Sequence, residues 1–147
     1  NIPTLLVIRD PVDTILSLHI HSPKGKYYIS AHILRFIIYH TRILLSPISN
    51  TLVINFNDFK DNPIDIIKKT NDKFNLKLNE NISDLHESVI NSILKDNKEN
   101  PANVLKVSAP SKKKEVLKNK YRSEVELNPL IIIANYLHQK LLKKTNG

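Results

Sequence analysis

Apolar positions along this chain follow two different periods, and the switches between them predict its elements. The run Thr4-Leu5-Leu6-Val7-Ile8 is apolar or β-branched at every position and stops abruptly at Arg9-Asp10-Pro11. Such a run predicts a strand buried on both faces. Asp10 is a helix-capping residue, Pro11 suits a first helical position and Asp13 falls in the first turn, so a helix is expected over about 11–21. Ser22-Pro23-Lys24-Gly25-Lys26 breaks the pattern as a loop. A long helix follows over about 28–45, with Ile29, Ile33, Phe36, Ile37 and Leu44 as its buried stripe, and Pro47 ends it. Residues 51–56 form a second apolar strand, and the intervening helix predicts a parallel crossover pair.

Asn62 and Pro63 then open a helix that turns Ile64, Ile67 and Phe74 inward. Ser83 starts another, with Leu85, Val89, Ile90, Ile93 and Leu94 as apolar positions. Residues 96–110 are polar and interrupted by proline, reading as a loop with a short strand at 104–107. Lys112-Lys113-Lys114 leads into a short helix ending near Tyr121, and Asn128-Pro129 opens a closing helix to about residue 143. Leu130, Ile133, Ala134, Leu137 and Leu141 share a face of that helix. Strands buried on both faces belong to larger, doubly covered sheets, so residues 1–147 are expected to form one partial α/β domain.

Composition narrows the function classes. With no cysteine, disulfides, thiolate metal sites and cysteine nucleophiles are excluded within these residues. Lysine and arginine number 22 against 14 acidic residues, and the net charge of +8 favours an anionic partner without choosing among nucleotide, acidic substrate, nucleic acid or lipid surface. Apolar runs such as 130–134 fall far short of the roughly 20 residues of a membrane-spanning helix. No signal or transit peptide is visible. The chain begins at Asn1 and holds no methionine, so its natural start is expected upstream.

Arg9 carries the sharpest chemistry. Ligands of open parallel sheets bind beyond the carboxyl ends of the strands, where a guanidinium grips a phosphate bidentately. Ser17 lies on the following helix, eight positions after Arg9. This arginine, the Asp-Pro turn and the serine resemble the 3′-phosphate signature of the sulfotransferases that use 3′-phosphoadenosine 5′-phosphosulfate (PAPS). Phe56-Asn57-Asp58-Phe59, then Asp61-Asn62-Pro63 and Phe74-Asn75-Leu76, resemble a second family pattern of strand end, acidic-Pro helix start and helix end. Asn57 stands where the family has glutamate, which implies a structural turn at that point, and Asn75 and Leu76 replace a leucine-glycine pair. The resemblance covers about residues 2–78.

It implies a three-layer α/β/α fold with a parallel sheet, related to the P-loop NTPases, and transfer of a sulfuryl group from PAPS to an acceptor hydroxyl or amine. Arg9 and Ser17 would hold the 3′-phosphate of the co-substrate, and no metal is implied. The family's 5′-phosphosulfate loop and catalytic base belong to a preceding part, so no residue here is assigned to catalysis and this segment alone is expected to be inactive. The only glycines are Gly25 and Gly147, and the loop at 22–26 follows a helix rather than a strand, unlike a phosphate loop. The acceptor and the oligomeric state stay open.

Competing readings are a basic nucleic-acid-binding module and another P-loop enzyme such as a small kinase. The first lacks interleaved aromatics and glycines on a basic strand surface, and the second lacks a Walker-type lysine. His19 and His21, two apart on a helix, point in different directions and do not make a metal site. Lys112, Lys113 and Lys114 read as a solvated charge run, with a basic lid over the nucleotide as the alternative. Arg35 and Arg42, seven apart, read as a solvent-facing stripe that would otherwise meet an acidic substrate.

Overall fold

The computed structural model describes residues 2–21, 27–46, 50–80 and 112–145. Their order is β1 (Thr4–Ile8), α1 (Pro11–His21), α2 (Tyr27–Leu45), β2 (Thr51–Asn55), α3 (Phe56–Asp61), α4 (Pro63–Phe74), α5 (Lys112–Glu126) and α6 (Leu130–Thr145). The expected helix from Ser83, the polar segment 96–110 and the loop 22–26 lie outside the described residues.

The crossover appears as the spacing predicts. β1 and β2 are parallel, with Thr4 opposite Thr51, Leu6 opposite Val53 and Ile8 opposite Asn55. Local chemistry sets the helix starts between and after them. The Asp13 amide donates to the Asp10 carboxylate at 3.0 Å, Thr14 Oγ1 donates to the Asp10 carbonyl at 2.8 Å, and Pro11 is buried at the first helical position. Asn62 caps α4 by accepting from the Asp65 amide at 3.3 Å. The α4 end is a left-handed Asn75 with φ 51°, whose backbone N–H reaches Asn71 O.

The expected three-layer α/β/α, P-loop-like partial domain is not what forms. Among the described residues helices dominate, and the sheet is a single parallel pair. The reason lies in what the helices pack against. The largest core joins Ile15 and Leu16 of α1, Ile29, Ile33 and Phe36 of α2, Val125 of α5, and Ile131 and Ala134 of α6, so four helices bury their stripes mainly on one another. Each fully buried Leu or Ile there contributes about 1.5–3 kcal/mol over an exposed one. The sheet rests on the edge of this bundle, where Ile8 and Val53 meet Leu141. On its other face Leu52 and Ile54 meet Ile66 of α4, with Phe74 against them.

Finer expectations shift for local reasons. β2 stops at Asn55 because that side chain accepts from the Asn57 amide at 2.9 Å and diverts Phe56 into α3. α5 continues past Tyr121 to Glu126 and thereby delivers Val125 to the core. α4 buries Ile66 and Thr70 while Ile64 is exposed, and α6 buries Ile131 where Ile133 was expected. Asn128 starts α6 by accepting from the Leu130 amide at 3.1 Å, and its own amide donates to Ser30 Oγ at 3.0 Å, tying the start of α6 to α2. No helix among the described residues is long and apolar enough to cross a membrane.

Candidate functional site

Parallel pairing brings the carboxyl ends of β1 and β2 side by side, and Arg9 leaves β1 at that point. Its guanidinium carbon sits 5.2 Å from the centroid of the Phe56 ring, the first residue after β2. Arg9 Nη2 lies 3.7 Å from Asp13 Oδ2, an ion-pair distance too long for a hydrogen bond. The tighter partner of Asp13 is Arg122 of α5, whose Nη2 donates to Oδ1 at 3.1 Å. Arg9 Nε is buried and has no hydrogen-bond partner among the described residues. A buried N–H of this kind costs free energy until an acceptor reaches it.

Beside Arg9 opens a cavity of about 330 Å³, near the lower end of ligand-pocket sizes. Val7, Ile8 and Arg9 form the strand-tip wall, Thr14 contributes from α1, and Arg35, Phe36, Tyr39 and His40 contribute from α2. The Thr14 hydroxyl is already engaged with the Asp10 carbonyl. His40 stacks on Phe36 with ring centroids 3.7 Å apart and planes 17° from parallel. Its Nδ1 lies 2.9 Å from Phe36 O, so Nδ1 carries the proton and Nε2 the free lone pair of the neutral ring. Burial lowers the His40 pKa, the bond to Phe36 O opposes this, and His138 lowers it further.

Arg9 thus occupies the strand-tip position read from the sequence. Ser17 sits half-buried on α1, one turn beyond Asp13, and does not line the cavity. α1 meets the cavity through Thr14 and Leu18, so the fold places Arg9 on the cavity wall and leaves Ser17 off it. Asn57 serves the turn after β2, and its amide is the group that Asn55 caps. Arg35 lines the cavity, whereas Arg42 is exposed at the end of α2 and does not. The lysine run divides. Lys112 and Lys113 are exposed, while Lys114 is buried, and desolvation and then the nearby Lys118 charge lower its pKa.

Of four buried histidines, sequence reasoning weighed His19 only as a metal ligand and passed over His32, His40 and His138. His19 meets the Tyr121 ring edge-on at 4.5 Å and the His32 ring at 6.0 Å, and His40 and His138 are buried on α2 and α6. His19 Nδ1, both ring nitrogens of His32 and His138 Nδ1 have no hydrogen-bond partner among the described residues. Burial is the main cause lowering each pKa. Glu124 opposes it at His19 and Asp10 at His138, while His19 and Arg35 reinforce it at His32. Their signal was present, since His32 and His40 extend the inward stripe of Ile29, Ile33 and Phe36 at helical spacing. Among the described residues no group of three or more His, Asp or Glu side chains is arranged to hold a metal ion. Comparison of the chain with protein-family models, with curated proteins and with solved structures finds no match.

Proposed function

We propose that this chain binds the 3′-phosphate of an adenine nucleotide through Arg9 and serves PAPS-dependent sulfuryl transfer to a hydroxyl or amine. The observation that carries the reading is the Arg9 guanidinium at the strand tip, on the wall of an open cavity. The Arg9 side chain is partly exposed, so its guanidinium can donate to a phosphate oxygen, and a charge-assisted bond is stronger there than a neutral one. Phe56 at 5.2 Å braces the planar guanidinium, and Arg122 draws the Asp13 carboxylate away from competing with the ligand. The motif from Arg9 to Ser17 narrows the anion to the 3′-phosphate by resemblance. The reading rests on this strand tip and takes nothing from the three-layer fold.

In the transfer itself, the bond from sulfur to the 5′-phosphate oxygen breaks as a bond from sulfur to the acceptor atom forms. Adenosine 3′,5′-bisphosphate leaves and the acceptor proton passes to a base. The part of Arg9 in this is to fix the register of the nucleotide, since such transfer depends on positioning and charge stabilisation. Titration calorimetry with adenosine 3′,5′-bisphosphate and adenosine 5′-phosphate tests the binding step. Arg9→Ala should weaken the bisphosphate roughly tenfold, the lower end for a charge-assisted pair because the side chain is partly open to water. It should leave the 5′-phosphate nearly unchanged, and Arg9→Lys should recover only part of the loss. Equal weakening of both nucleotides, or salt-sensitive binding of any polyanion without nucleotide preference, overturns the assignment in favour of a general basic surface.

A further inference from the structure

We infer that Arg35 of α2 is a second ligand of the phosphate held by Arg9, a role the sequence pattern gives to no residue of that helix. The inference rests on the nucleotide reading above and adds a residue to the same site. Arg9 and Arg35 reach one cavity of about 330 Å³ from different elements, one from a strand tip and one from a helix. Two guanidinium charges lining so small a space repel each other unless an anion lies between them. The carboxylate paired with Arg9, Asp13, stands 3.7 Å from it and is held at 3.1 Å by Arg122, which leaves it little to offer a second arginine. Arg35 itself makes no ion pair among the described residues. Its charge is felt instead by His32, whose pKa it helps to lower.

The other groups around the cavity fit a phosphate monoester better than a free inorganic anion. Thr14 and His40 have committed hydrogens, to the Asp10 and Phe36 carbonyls respectively, so the two arginines hold the uncommitted N–H donors near the strand tip. The exposed ring of Tyr39 offers surface to the organic part of the ligand. A planar fork on each side of a tetrahedral phosphate is an arrangement arginine forms and lysine does not. Ser17, off the cavity wall, is then not needed as the second ligand.

The test is titration calorimetry of the whole chain with adenosine 3′,5′-bisphosphate. Arg35→Ala, Arg35→Glu and Arg9→Ala are compared with Arg42→Ala, an exposed arginine of the same helix away from the cavity. Arg35 is exposed, so these variants should keep the unfolding midpoint of the parent chain, checked by circular dichroism. Arg35→Ala should weaken the bisphosphate roughly three- to tenfold, Arg35→Glu more, and Arg42→Ala by less than about twofold. If Arg35→Ala matches Arg42→Ala while Arg9→Ala still weakens binding, Arg35 is a solvent-facing residue, the inference fails and the reading of Arg9 stands. If neither Arg35→Ala nor Arg9→Ala weakens binding, the inference and the nucleotide reading fail together.

Discussion

Leu5 and Leu52 are the same residue type, sit opposite each other in the parallel register and so lie on the same face of the sheet, yet Leu5 is 40% exposed and Leu52 8%. Val7 and Ile54, the next pair on that face, differ in the same way at 42% and 5%. Ile66 of α4 packs on Leu52 and Ile54, and nothing comparable among the described residues covers Leu5 and Val7. The two strands have therefore divided their work. β2 is a core strand held from both faces, and β1 is anchored through Ile8 while its tip builds the cavity with Val7, Ile8 and Arg9.

That division is exposed most directly by deleting methylenes on β2. Ile54→Ala should cost about 2–5 kcal/mol in urea unfolding, because a filled site between β2 and α4 becomes a cavity. A loss below about 1 kcal/mol would mean that α4 collapses onto the gap and that β2 is no more a core strand than β1.

Acid acts on the helices that cover the other face, where Val53 meets Leu141. His19, His32, His40 and His138 all have folded pKa values below the usual 6.5. Between that value and each folded pKa the unfolded chain binds more protons than the folded one, so stability falls as pH falls. The urea midpoint should be level above about pH 7 and decline steadily below about pH 6.5. His32→Leu should flatten part of the decline, since that ring holds two nitrogens without partners among the described residues. A midpoint that stays level down to pH 5 would show that these rings reach acceptors or water in solution.

Smaller effects follow at the edges. Asn62→Ala removes the α4 cap and should cost about 0.5–1 kcal/mol, felt as a looser cover on β2 and measurable as a larger rise in amide exchange over the parent chain in β2 than in β1. Val7→Ala should cost less than about 1 kcal/mol, because its side chain is already partly in water. Were Val7→Ala to match Ile54→Ala, β1 would be a buried strand after all and the contrast would vanish.

What the sequence disclosed was local. Asp10 with Pro11, Asn62 with Pro63 and Asn128 each announce a helix start through their own capping chemistry, and the apolar runs announce two strands with a helical crossover. What it withheld depended on neighbours. Leu5 and Val7 are apolar enough to be buried, but only the position of α4 decides that they are not. Val125 sits beyond the point where the lysine-rich pattern fades, and its contact with the core is what prolongs α5. Arg9 was readable because a strand end is defined by the strand itself. Arg35 was not, since its place on the cavity depends on how α2 is rotated against β1, and Ser17 was read from spacing, which does not say which side of α1 meets the cavity.

The ladder between β1 and β2 also acts as an aiming device. Side chains alternate faces along a strand, so a slip of one residue would turn Ile8 out of its contact with Leu141 and swing Arg9 to the opposite side of the sheet. Apolar content hardly opposes such a slip, because β2 presents Leu52 and Ile54 to one side and Val53 to the other. The register is held instead at its two ends, by the bond from the Thr4 amide to Asn50 O at 3.0 Å and by Asn55, whose cap on α3 fixes where β2 must stop. The direction of one guanidinium is thus set by two asparagines, one just before β2 and one at its end.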